Sequence, residues 1–101
     1  MSEHVIETVT FRLADGLSET DFLKSAEAAS SFLKSCPGFV SRRLSAGEDG
    51  VWLDLVEWTS ADAAKTAIAK AAKTPGLAAF LASAAPGSEE MALRRLRIAV
   101  T

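Results

Sequence analysis

The chain has 101 residues, 49% of them hydrophobic and 24% charged, with 11 basic against 13 acidic side chains and a formal net charge of −2. That length suits one domain with one core, and the charge balance gives no pull toward phosphate backbones, so nucleic acid is not an expected partner. Cys36 is the only cysteine and His4 the only histidine, which excludes an internal disulfide, cysteine-built zinc cages and multi-histidine metal sites; no metal is expected.

Met1-Ser2-Glu3-His4 has no basic n-region and no long apolar stretch after it. No run of about 18 apolar residues occurs, so a cytoplasmic location without a membrane contact is expected. His4 to Leu13 reads as the first strand, with Val5, Val9, Phe11 and Leu13 on one face and Ile6, Thr8, Thr10 and Arg12 on the other. Asp15-Gly16 ends it. Ser18 then caps a helix that runs through Ser35, with a stripe of Phe22, Ala26, Ala29 and Leu33 widened by Phe32. Pro37-Gly38 stops that helix, because proline disfavours helical geometry at the residue before it.

Phe39 to Ser45 and Val51 to Trp58 read as a hairpin around Gly47-Glu48-Asp49-Gly50. Ser60 caps a second helix, Ala61 to Lys73, whose apolar face is alanine with Ile68. Thr74-Pro75-Gly76 breaks it, and Leu77 to Ala84 reads as a further short helix anchored by Phe80 and Leu81. Ala85-Pro86-Gly87-Ser88 is a loop, and Met91 to Val100 is the last strand. The predicted order βαββαβ is the split plan of a ferredoxin-like α+β domain with a four-stranded antiparallel sheet, spanning residues 1–101.

The third strand is apolar on both sides, with Val51, Leu53 and Leu55 on one face and Trp52, Val56 and Trp58 on the other. Right-handed crossovers place both helices on one side of the sheet, so the other side needs a different cover. A second copy is the expected one, giving a homodimer through the sheet face. The order 4-1-3-2 expected for this fold puts strands two and four at the edges. Those strands carry Arg42, Arg43, Arg94, Arg95 and Arg97, charges that discourage stray strand addition; a substrate clamp is the functional alternative.

The order of elements, Pro37-Gly38-Phe39 after the first helix, and Trp58-Thr59-Ser60 leading into an alanine-rich helix resemble the antibiotic biosynthesis monooxygenase-like family. The resemblance covers nearly the whole chain and implies a dimeric α/β barrel, two ferredoxin-like sheets packed face to face with helices outside. It further implies cofactor-free oxidation of phenolic or quinone-like molecules, with no cofactor expected, or haem degradation in other members. Trp58 matches a tryptophan that lines the pocket between sheet and helices in that family. The asparagine of its characterised enzymes and the tyrosine of some oxygenases are missing, since the chain has no Asn, Gln or Tyr. The helix expected to carry a haem-ligating histidine has none, which disfavours haem degradation.

Two carboxylates break the apolar pattern. Glu7 shares a face with Val5, Val9, Phe11 and Leu13, and Asp54 shares one with Trp52, Val56 and Trp58. On neighbouring strands they could meet in one pocket, where poorly solvated carboxylates do not both ionise readily and one becomes a candidate general base. Alternatively each pairs with an arginine, and a regular hairpin places Arg43 on the Trp52 face as the partner of Asp54. Glu7 and Asp54 are thus the catalytic candidates, and Trp58, Trp52, Phe22 and Arg43 the candidate ligand-binding residues. The expected function is binding of a small apolar or aromatic molecule between sheet and helices, with carboxylate-assisted oxidation or proton transfer. The alternative is a non-catalytic dimeric module with a cleft closed by Phe22, Phe32, Phe80 and Leu81.

Overall fold

The computed structural model describes residues 3–101; Met1 and Ser2, which open the segment read above for export, lie outside the described residues. The elements are β1 (Val5–Phe11), α1 (Glu19–Ser35), β2 (Phe39–Ala46), β3 (Trp52–Trp58), α2 (Ala61–Ala71), a 3-10 turn at Pro75–Leu77 running into α3 (Ala78–Leu81), and β4 (Glu90–Arg95). The four strands form one antiparallel sheet in the order β2-β3-β1-β4. This is the ferredoxin-like arrangement that the alternation of the sequence predicts. Among the described residues no helix is long and apolar enough to cross a membrane.

Both long helices start where the hydroxyl caps do. Ser18 Oγ accepts from the Asp21 backbone N–H at 3.1 Å and Ser60 Oγ from that of Ala63 at 3.1 Å, each satisfying one otherwise orphaned donor. α2 stops at Ala71, two residues short of the expected Lys73. The last strand is shorter than expected too. β1 begins at Val5, opposite Arg95, and after the Leu96 N–H bonds the His4 carbonyl at 2.8 Å the chain has no strand left to pair with. Ile98 and Val100 are accordingly 83% and 89% exposed.

All the helices lie on the side of the sheet that receives Val5, Glu7, Val9 and Phe11 from β1 and Trp52, Asp54, Val56 and Trp58 from β3. Two apolar clusters fill this layer. One gathers Val5, Cys36, Val56, Trp58, Ala64 and Ala67; the other Phe11, Phe22, Ala26 and Trp52. Trp58 and Phe22 are fully buried anchors, each contributing about 1.5–3 kcal/mol by burial. Cys36 packs as a small hydrophobe, with its thiol 3.4 Å from the Phe32 carbonyl.

The turn from α1 into β2 depends on Gly38. Its φ is +85°, and its carbonyl accepts the Thr59 N–H at 2.9 Å, which docks the start of β2 on the end of β3. A Cβ there would sit 2.6 Å from the Ala63 Cβ and 2.8 Å from the Thr59 Oγ1. Gly16 has a comparable φ of +80° with open space around it. Gly16→Ala is therefore expected to cost about 1–2 kcal/mol from backbone strain alone. Gly38→Ala should cost about 1–3 kcal/mol more, from overpacking. Urea denaturation of the two variants checks this, and equal losses would remove the role of the Ala63 contact.

Candidate functional site

Period-two alternation places Glu7 and Asp54 on the helix side of the sheet, and the register fixes how they meet. Glu7 pairs with Val56 and Val9 with Asp54, so the two carboxylates are diagonal neighbours on adjacent strands. Both line a cavity of about 270 Å³ between the sheet and the helices. Its walls are apolar, with Val9, Phe32, Ile68, Phe80 and Met91 among them. Among the described residues, the charged groups lining it are Glu7, Arg42, Asp54 and Glu89. Leu81 and Met91, lining residues that are 47% and 53% exposed, mark where it reaches the surface.

Asp54 is held by Arg42. The guanidinium donates from Nε to Oδ1 at 2.9 Å and from Nη2 to Oδ2 at 2.7 Å, a two-pronged pair whose side chains are 7% and 11% exposed. Its Nη1 donates to the Ala26 carbonyl at 2.8 Å and to Ser30 Oγ at 2.9 Å, which fastens the pair to α1. The guanidinium carbon lies over the Phe80 ring, 5.2 Å from its centre. Phe80 stacks in turn on Phe22, and Phe22 meets Trp52 edge to face.

Arg42 occupies the place expected of Arg43. A regular hairpin through Phe39, which packs on Trp58, would put residues 39, 41, 43 and 45 on the Trp58 side. A bulge between Phe39 and Ser41 shifts the alternation, so that Arg42 faces Val56 on the inner side and Arg43 faces Leu55 on the outer one. Arg43 is exposed there, on the face opposite the cavity. Only a bulge signal at Val40 could have corrected this from sequence, and a run of Phe-Val-Ser-Arg-Arg carries none. His4 is also on the outer side, its Nδ1 2.6 Å from Glu57.

Glu7 sits in a different environment. The buried indole N–H of Trp58 donates to its Oε1 at 2.9 Å. Its Oε2 has no hydrogen-bond partner among the described residues, on a side chain that lines the cavity. Burial pushes the Glu7 carboxyl above its ordinary value of 4.5; the Trp58 hydrogen bond opposes this, the Asp54 charge adds to it, and the Arg42 charge opposes it. Trp58 is thus both a wall of the cavity and the group that fixes Glu7. Trp52 and Phe22 are in the second apolar cluster, behind Phe80, and do not line the cavity. No group of three or more metal-ligating side chains occurs among the described residues.

No protein-family model and no curated protein matches the sequence. Solved structures do. SnoaB, a cofactor-independent oxygenase from Streptomyces nogalater, is 22% identical with a TM-score of 0.80, and the match covers 98% of each chain. The monooxygenase from the gene ActVA-Orf6 of Streptomyces coelicolor, in complex with Nanaomycin D, is 19% identical with a TM-score of 0.66, covering 98% of this chain and 92% of that one. A Caulobacter crescentus protein proposed to be an antibiotic biosynthesis monooxygenase is 17% identical with a TM-score of 0.72, covering 96% and 92%. The structural neighbours are thus antibiotic biosynthesis monooxygenase-like proteins, as Pro37-Gly38-Phe39 and Trp58-Thr59-Ser60 suggested. At these identities the likeness establishes the fold.

The Glu7 environment has a sign that equilibrium unfolding can read. Below pH 4.5 the group is protonated in both the folded and unfolded chain. Above 4.5 the unfolded chain releases the proton first, so stability falls until pH passes the raised folded value, and is level beyond it. Glu7→Gln lacks this loss. The stability of wild type relative to Glu7→Gln should therefore decline as pH rises from 4.5 toward neutrality. Urea denaturation of both proteins across that window measures it, and a difference that stays constant or grows would refute the burial account.

Proposed function

We propose that the cavity binds a small, apolar, aromatic molecule and that Glu7 acts on it as the acid/base group. The observation that carries this reading is that Glu7 lines an apolar cavity of about 270 Å³ with one carboxyl oxygen fixed by Trp58 and the other without a hydrogen-bond partner among the described residues. Ionised Glu7 takes a proton from a phenolic hydroxyl or an acidic carbon of the ligand through Oε2. Burial raises its basicity toward that task. Asp54, with both oxygens engaged by Arg42, is the positioning member of the pair: it holds α1 to the sheet and its charge favours the proton on Glu7. The likeness to SnoaB, a cofactor-independent oxygenase, brings oxidation into the reading. In that chemistry a phenolic ligand is the reductant and dioxygen the oxidant: the ring carbon that gains one oxygen atom loses its hydrogen, that hydrogen and the hydroxyl proton leave with the second oxygen atom as water, and the ring ends as a quinone.

Binding of 2-naphthol is the direct test, followed by quenching of tryptophan emission. Wild type should bind it, and Ala71→Phe, which puts a ring into the cavity from α2, should weaken it at least tenfold. Glu7→Gln should keep the affinity within a few-fold and lower oxygen uptake with any phenol that wild type oxidises by about 10²-fold or more. Binding without oxygen uptake would leave a binding protein. No binding in wild type would favour a non-catalytic module.

The assembly belongs to the same reading. On the outer side of the sheet, Ile6, Leu53 and Leu55 are half-buried with no helix over them. A second copy placed on that face gives a homodimer in which each cavity opens away from the interface. Sedimentation at about 10 μM should give twice the 10.6 kDa chain mass, and a monomer would reject the dimer.

A further inference from the structure

We propose that the cavity selects its ligands by charge, admitting neutral ring compounds that carry a carbonyl or hydroxyl group and rejecting those that carry a carboxylate. This rests on the reading of the cavity as a ligand site and adds what that site discriminates. The argument is one of counter-charge. Among the described residues lining the cavity, Arg42 is the one cation, against Glu7, Asp54 and Glu89. The parts of α1, α2 and α3 that line it contribute apolar side chains alone, and β4 contributes Met91.

Arg42 has one N–H, on Nη2, left to offer an anion, and its charge is already matched by Asp54. Of its five N–H donors, Nε and one on Nη2 go to Asp54, and Nη1 goes to the Ala26 carbonyl and Ser30 Oγ. The central carbon of the guanidinium lies over the Phe80 ring. A carboxylate that entered would lose its water beside Glu7 and Glu89 and gain at most one N–H of a guanidinium already paired with Asp54. A neutral ligand meets no such cost. Glu7 Oε2 offers it one polar contact, accepting from a hydroxyl when ionised and donating to a carbonyl when protonated. A pocket with a spare arginine would reverse this preference; here the arginine is already neutralised by Asp54.

The pair 2-naphthamide and 2-naphthoate isolates the effect, because the two have the same shape and differ in charge at pH 7.5. Calorimetric titration of wild type should give an affinity for the amide at least tenfold tighter than for the carboxylate. Asp54→Asn, which releases the Arg42 guanidinium, should tighten 2-naphthoate at least tenfold and erase or reverse the order. The double variant Arg42→Met with Asp54→Leu removes both charges and creates no free cation, so it should keep the preference for the amide. This holds the test open if Asp54→Asn does not fold. Equal affinities in wild type, or a tighter carboxylate, would overturn the charge filter and leave the ligand site standing. Failure of Asp54→Asn, once folded, to improve 2-naphthoate would overturn the role given to Arg42. If neither compound binds wild type, the ligand site and the filter fall together.

Discussion

The buried pair of Arg42 and Asp54 is the joint on which the rest of this layer is hung. Through Nε and Nη2 the guanidinium crosses from β2 to β3, and through Nη1 it reaches two residues of α1. A pair taken out of water in this way gains little net stability, since the desolvation of two ions offsets most of their attraction. What it fixes is geometry. With all its partners in place it sets where α1 lies over the sheet, and it does so with directional hydrogen bonds that an apolar contact would lack. Phe80 packs against the guanidinium, and the aromatic chain from Phe80 through Phe22 to Trp52 joins the second apolar cluster to the polar joint.

Two carboxylates on one face therefore have opposite settings. Asp54 is saturated by a cation, and Glu7 faces a neutral indole donor on one side and the cavity on the other. The neutral donor helps the charged form less than a guanidinium would, so burial dominates at Glu7. Exchanging the partners would exchange the roles. The acid/base role proposed for Glu7 thus follows from strand order: β2, which carries the arginine, neighbours β3 and not β1, and the bulge at Val40 decides that Arg42 rather than Arg43 supplies it.

The strand and helix order was legible because it rests on local signals: alternation in 5–11 and 52–58, hydroxyl caps at Ser18 and Ser60, and the Pro37-Gly38 stop. Glu7 and Asp54 stood out for the same reason, as charges on apolar faces. The partner of Asp54 did not, because alternation counted along Phe39 to Ser45 carries through the bulge without a mark. Trp52 and Phe22 were expected beside the ligand since aromatic residues on an inner face look alike in sequence. Their separation from the cavity is set by α3, whose Phe80 stands between, and a four-residue helix leaves almost no periodicity to read. The end of β4 failed for a third reason: Leu96, Ile98 and Val100 alternate like a strand, but a strand needs a neighbour, and β1 begins at Val5.

The cavity has its origin in composition. Helix α2 faces the sheet with Ala64, Ala67 and Ala71. Alanine favours the helix and lets it approach closely, but it removes from the interior the volume that leucine or isoleucine would supply. In a close-packed interior such a deficit is normally taken up by neighbouring side chains or collapse of the layer. Here two of the large lining residues are already engaged: Trp58 by its hydrogen bond to Glu7 and its edge contact with Phe39, Phe80 by Arg42 and Phe22. Collapse is resisted because the Arg42 bonds to Ala26 and Ser30 hold α1 at a set distance from β2 and β3. Small residues on one helix and a polar joint under the other together keep the space open, with Glu7, fixed through one carboxyl oxygen, facing into it.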